Sequence, residues 1–133
     1  MDRLKLEPSH ETPEILIDPQ SREIKIIGNS FPPDPSKFYF EVIKWLDIFY
    51  SNLTSPSKVI VELNYFDRSS YGYLMKIIRK MEDISKKGSR ISLIWYYQKD
   101  DEDIKELGKS LKEILSLNFK VEEKADLIKE NEA

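Results

Sequence analysis

Residues 58–74, KVIVELNYFDRSSYGYL, change their repeat partway along. Val59, Val61, Leu63 and Tyr65 recur at every second position, as expected of a strand that buries one face. The opposite face, Ile60, Glu62 and Asn64, is only partly apolar. After Ser69 and Ser70 the apolar residues switch to helical spacing, with Leu74, Ile77, Ile78, Met81 and Ile84 forming one side of a helix that stops at KKGS. A strand that runs straight into a helix is half of a β-α-β unit, so the fold turns on whether the pattern repeats.

It repeats in both directions. Downstream, RISLIWY at 90–96 is a largely apolar run suited to an interior strand. The acidic DDED at 100–103 then opens a helix carrying Ile104, Leu107, Leu111, Ile114 and Leu115, and Phe119–Glu122 forms a last short strand. Upstream, Phe38, Val42, Trp45 and Phe49, flanked by Ile43, Leu46 and Tyr50, define the apolar face of a helix that Ser36 is placed to cap and that TSPS ends. Before it, EILI (14–17) and EIKII (23–27) are joined by DPQSR, whose Asp-Pro supplies turn chemistry, so they read as a hairpin. A further strand is expected near Leu4–Leu6. GNSFPPDP (28–35) has three prolines and a glycine and continues neither strand nor helix.

Neighbouring strands separated by helices must run parallel. The expected fold is therefore α/β: a mixed sheet with an N-terminal hairpin followed by alternating helices and strands. One domain spanning 1–133 is expected, with a polar tail, 125–133, that frays.

Composition narrows the function. The chain has 133 residues, 40% apolar and 34% charged, with a net charge of −3 and both signs interspersed. This offers no basic field for nucleic acid and no polybasic membrane anchor. No apolar run approaches the roughly 20 residues of a membrane span, and the N-terminus lacks the core of a signal peptide. The expected location is the cytoplasm, where NLT at 52–54 reads as a chance glycosylation match.

Cysteine is absent, which excludes disulfides, thiolate metal sites and cysteine nucleophiles. His10, the only histidine, lies in a polar segment and reads as a surface residue. A hydrolase would have to pair it with Ser69, without a G-x-S-x-G elbow. DDED lacks the glycine and distal glutamate of a calcium loop, and helix capping explains it. No glycine belongs to a phosphate-binding loop, so neither cofactor nor metal is expected. Trp45 and Trp95 lie within apolar patterns and read as core.

The strand-to-helix junction is the remaining candidate, because sites in β/α folds gather at the carboxyl ends of strands. Asp67, Ser69 and Ser70 can each cap the following helix. Gly72 leaves bare backbone beside the serines, between Tyr71 and Tyr73, residues of a type enriched at interfaces. Phosphorylation here would add about −1.5 to −2 of charge. A helix N-terminus accepts such a charge, whereas a partner that had buried the hydroxyl would not.

These residues resemble a known family. YFDRSS at 65–70 is similar to the Y-F-N-T-S-S signature of the SiaC family of bacterial regulatory phosphoproteins. ETPEILID (11–18), GNSFPPDPSKFYFEVIKWL (28–46) and WYYQKDDEDIKELG (95–108) resemble further family segments in the same order. The resemblance implies a fold like that of STAS, or anti-anti-sigma, domains. It also implies a switch protein that a Ser/Thr kinase modifies and a PP2C-type phosphatase restores. The unmodified form of such a protein activates a diguanylate cyclase, linking it to cyclic di-GMP and biofilm growth.

In a gapless match Asp67 takes the place of the family's Asn and Arg68 that of its Thr, while Ser69 and Ser70 match its two serines. Three readings follow. The acceptor is Ser69, the first choice, or it is Ser70. In the third, the protein is a constitutive, unphosphorylated adaptor in which Arg68 fixes one state. The surface expected to meet partners comprises Asp67, Arg68, Tyr71, Gly72 and Tyr73.

Overall fold

The computed structural model describes residues 3–52 and 57–124. The expected end of the first helix at 54–57 lies largely outside them, as do most of the NLT match and the 125–133 tail. The elements follow the order read from the sequence: β1 (Leu4–Leu6), β2 (Glu14–Asp18), β3 (Glu23–Ser30), α1 (Pro35–Asn52), β4 (Ser57–Phe66), α2 (Arg68–Lys86), β5 (Ile91–Tyr97), α3 (Glu102–Ile114) and β6 (Asn118–Glu123).

The six strands lie side by side in chain order. β1, β2 and β3 pair antiparallel, and β3 to β6 pair parallel. Right-handed crossovers that always advance in one direction place their helices on one face of the sheet. The burial pattern agrees: Ile15, Ile17, Ile24, Ile26, Val59, Val61, Leu63, Ile91, Leu93, Trp95 and Phe119 are buried, while the residues alternating with them are not. Each such aliphatic side chain removed from water contributes about 1.5–3 kcal/mol. α1, α2 and α3 cover this face, and the opposite face carries no helix among the described residues.

Four details differ from the sequence reading. Tyr65 was expected among the core residues of its strand, yet it is 55% exposed. The β3–β4 register moves from Gly28↔Leu63 to Asn29↔Tyr65, leaving Asn64 unpaired in a bulge. One extra residue reverses the alternation beyond it, so Phe66 turns inward and Tyr65 outward. On α1, the buried stripe is Tyr39, Val42, Leu46 and Phe49, with Phe38 and Trp45 only half-buried. The stripe is rotated toward Tyr39 because that side chain has a polar partner inside the protein. Asp34, not Ser36, caps α1 by accepting the Lys37 amide at 3.2 Å, while the Ser36 hydroxyl donates to Asp34. Finally, Ile114 is 59% exposed at the end of α3, where Leu115 completes the buried contact.

α3 begins where the acidic run predicted. Asp101 accepts the Ile104 amide at 3.1 Å, and Glu102 and Asp103 occupy the first turn at the positive end of the helix dipole. Trp95 donates from its indole nitrogen to the Ile104 carbonyl at 2.9 Å, fixing α3 to β5. Glu82 accepts the Ser116 amide at 2.7 Å and Arg79 at 3.1 Å, tying α2 to the α3–β6 connection. Those bonds, the Ser116 amide foremost, hold the Glu82 carboxyl below its ordinary pKa despite burial.

Candidate functional site

The junction from β4 to α2 stands at the carboxyl end of the parallel strands. Asp67 is the N-cap: its Oδ1 accepts the Ser70 amide at 2.8 Å, and its carbonyl accepts the Tyr71 amide at 3.0 Å. The Asp67 amide donates in turn to the Ser30 carbonyl at 3.0 Å, fastening the junction to the end of β3. The two serines are thus not caps. They occupy the first turn, where the amides of Arg68 and Ser69 precede the first helical acceptor.

The serines have opposite surroundings. Ser70 is 1% exposed and accepts a 2.8 Å hydrogen bond from the Ser30 hydroxyl. Ser30 is bonded in turn to the Tyr39 hydroxyl at 2.5 Å. Burial raises the Tyr39 pKa, outweighing the opposite effect of its hydrogen bonds to Ser30 and Ser70, and the Asp67 charge adds to the rise. The phenol therefore stays protonated and can act as donor in a chain running Tyr39 to Ser30 to Ser70. Three elements, β3, α1 and α2, meet in this buried network, and its hydrogen bonds persist only while they stay together.

Ser69 is exposed and borders an open groove of about 330 Å³ between the first turns of α1 and α2. Pro35 and Ser36 form one wall; Gly72, Tyr73 and Lys76 form the other. A methyl group added at Gly72 would meet no atom within 4 Å, so its backbone is bare to the groove. Tyr73 stacks on Tyr39 with centroids 5.4 Å apart, and the Lys76 ammonium stands 5.2 Å from the Tyr73 centroid. Arg68 is exposed and takes part in no ion pair among the described residues. Tyr71 is half-buried and stacks on Phe66 at 5.9 Å. The partner-facing set expected from sequence is therefore divided. Arg68 and Gly72 face solvent, while Asp67, Tyr71 and Tyr73 are half-buried and mainly shape the junction.

Several neighbours were missed by sequence reasoning. Ser30, Ser36 and Tyr39 lie 30 to 40 residues before the serines and meet them only through the fold, whereas Lys76 stands further along the same helix, α2. An edge-on aromatic chain also flanks the junction, His10 on Phe31 at 5.4 Å and Phe31 on Tyr65 at 5.6 Å. It gives the sole histidine an aromatic neighbour. The alternation of hydrophobic residues carries no sign of it, because the bulge at Asn64 is what turns Tyr65 outward.

The profile of the SiaC family, described as SiaC family regulatory phosphoprotein, matches residues 6–124. The chain belongs to the SiaC family. An uncharacterized protein of Pseudomonas aeruginosa (strain UCBPP-PA14) is 27% identical over 122 residues, covering 92% of this chain and 97% of that one. Among solved structures, SiaC of Pseudomonas aeruginosa superposes with a TM-score of 0.85 at 26% identity, covering 93% of this chain and 100% of the other. The crystal structure of the diguanylate cyclase SiaD in complex with its activator SiaC, from the same organism, contains a chain matching at a TM-score of 0.86. That match is 26% identical and covers 91% of this chain and 99% of the other. The mixed sheet with three helices is thus the SiaC fold, and a relative with that fold assembles with a diguanylate cyclase.

Proposed function

We propose that this chain is a non-enzymatic switch that binds and regulates a diguanylate cyclase and is released by phosphorylation of Ser69. The contrast between the two serines carries the choice of residue. A kinase can reach the Ser69 hydroxyl without disturbing the core, whereas reaching Ser70 requires opening the network with Ser30 and Tyr39. The relative in complex with SiaD supplies the class of partner, and that relative's role as the activator of SiaD supports a regulatory rather than catalytic role. A kinase and a PP2C-type phosphatase complete the cycle, in the cytoplasm.

The physical basis is charge at a confined place. A phosphate on Ser69 adds about −1.5 to −2 beside the groove. Asp67 already occupies the cap and repels it, so Arg68, Lys76 and the free first-turn amides are the groups that hold it. A partner seated against Gly72 and Ser36 would then face a hydrated dianion in place of a hydroxyl. The domain stays folded, because the buried network is untouched.

Intact-mass and peptide analysis of protein from its native cells tests the reading. One phosphate on the peptide spanning Ser69 is expected, lost in Ser69→Ala, and Ser69→Glu weakens cyclase binding at least roughly tenfold, as an unpaired interfacial charge should. Phosphate on Ser70 alone would overturn the choice of residue.

A second reading is favoured by the exposed, unpaired Arg68 at the family's Thr position: a constitutive adaptor in which Arg68 contacts an acidic partner. There, Ser69→Ala leaves binding intact, no phosphate is found under any growth condition, and Arg68→Glu abolishes binding.

A further inference from the structure

The opposite end of the sheet holds a second concave site, unrelated to the phosphorylation junction. At the amino ends of the parallel strands, on the face without helices, a pocket of about 460 Å³ is lined by Arg22, Lys58 and Lys120 together with Ser21, Ser57, Ser92 and Ile94. The three cations come from three separate places, the β2–β3 turn, β4 and β6. Strand register brings them together: Lys58 pairs with Ser92, and Ile94 with Lys120. None of the three takes part in an ion pair among the described residues. Glu23 stands directly opposite Lys58 in the β3–β4 register, with its carboxylate 4.0 Å from Lys25; Asp18 stands opposite Glu23 at the β2–β3 turn and accepts the Gln20 amide; Glu122 lies two residues beyond Lys120; none of these carboxylates lines the pocket. The pocket thus gathers three like charges in a chain whose net charge is −3.

Arg22 adds an independent sign. It is the one non-glycine residue with positive φ among the described residues, at 58°, in a turn where glycine or asparagine would be unstrained. Its carbonyl accepts the Lys58 amide at 3.0 Å, so β4 holds this backbone in place. An arginine in this conformation costs stability, and strain at a cleft points to use of the side chain.

We propose that this pocket binds a small phosphate-bearing molecule, with Arg22, Lys58 and Lys120 around the phosphate. A phosphate dianion suits a pocket lined by three cations, and the planar guanidinium supplies paired donors. Ser21 and Ser92 offer further hydroxyls, whereas Ser57 is buried and within 3.2 Å of the Tyr50 hydroxyl. Ile94 gives an apolar floor on which a ring attached to the phosphate can rest. The volume suits a mononucleotide or sugar phosphate.

The test is amide NMR titration of the whole chain at constant ionic strength with sodium pyrophosphate, adenosine monophosphate and ribose 5-phosphate, with perchlorate as control. Saturable shifts gathered at Arg22, Lys58, Ser92 and Lys120, with at least one phosphate compound and not with perchlorate, are the expected result. Stronger binding of the nucleotide than of ribose 5-phosphate assigns the Ile94 floor to a base; equal binding assigns recognition to the phosphate alone. Arg22→Gly removes the charge and relieves the φ strain together, so it should weaken binding roughly tenfold while leaving thermal stability equal or higher. Lys120→Gln should weaken binding comparably. Shifts that never saturate, that follow perchlorate equally, or that gather at Ser69 would overturn the proposal, as would unchanged affinity in Arg22→Gly.

Discussion

Gly72 and Gly108 both lie inside helices, yet a methyl group at the two positions meets opposite surroundings. At Gly72 it would have no neighbour within 4 Å; at Gly108 it would overlap the indole of Trp95. Replacing a helical glycine by alanine gains about 1 kcal/mol in propensity at either site. Overpacking costs about 1–3 kcal/mol, and more where a ring already bonded to a backbone carbonyl must move. Gly72→Ala should therefore stabilise the protein by up to about 1 kcal/mol, and Gly108→Ala should destabilise it despite the better helix former. Urea unfolding measures both, with Trp95 fluorescence changed only in the second. Under the proposed function, Gly72→Ala also weakens cyclase binding, because its methyl group enters the groove beside Ser69. A glycine on the groove wall, at a cost to helix stability, leaves room for a close-approaching partner.

Among the elements, α1 is tied to the sheet by two buried tyrosines as well as by its aliphatic stripe. Tyr39 joins the Ser30–Ser70 network, and the Tyr50 hydroxyl lies 3.2 Å from that of Ser57 at the start of β4. Burial pushes the Tyr50 phenol up to about 12 from an ordinary 10.0, with the Ser57 hydrogen bond opposing the rise. The folded chain therefore holds this proton more tightly than the unfolded chain. The associated stability is complete below pH 10 and is lost as pH rises toward 12. At about pH 11.5 the difference amounts to roughly 2 kcal/mol. Urea unfolding at about pH 9 and pH 11.5 should thus show a larger alkaline loss in the native chain than in Tyr50→Phe, by about that amount. Equal losses would show that the phenol ionises as easily in the folded chain as in water.

For the whole molecule, the two candidate sites stand at opposite ends of one sheet. β4 begins with Ser57 and Lys58 at the cationic pocket and ends with Phe66 beside Asp67. Its ten residues span roughly 30 Å. Groups this far apart and sharing no partner act independently. The stability changes of Arg22→Gly and Ser69→Glu should therefore add in the double variant to within about 0.5 kcal/mol by urea unfolding. A larger deviation would mean that the sheet couples the two ends.

The order of strands and helices was legible in the sequence because each element carries its own period. The alternation in 58–63, the helical spacing after Ser70 and the acidic start of α3 are local facts that packing then preserved. The family was legible too, because its segments recur in order along the chain. Tertiary structure decided what locality cannot encode. Ser69 and Ser70 are adjacent and chemically identical, and only the approach of Ser30 and Tyr39 buries one and leaves the other free. Tyr65 fits the strand period, but the bulge at Asn64 turns it outward, because a single unpaired residue reverses every side chain beyond it. Arg22, Lys58 and Lys120 are scattered cations in the sequence, and strand register makes them neighbours. The sequence determined which elements form, since hydrophobic period is a property of a few consecutive residues. The fold decided which hydroxyl, which aromatic ring and which charges face water, since burial depends on residues far apart in the chain.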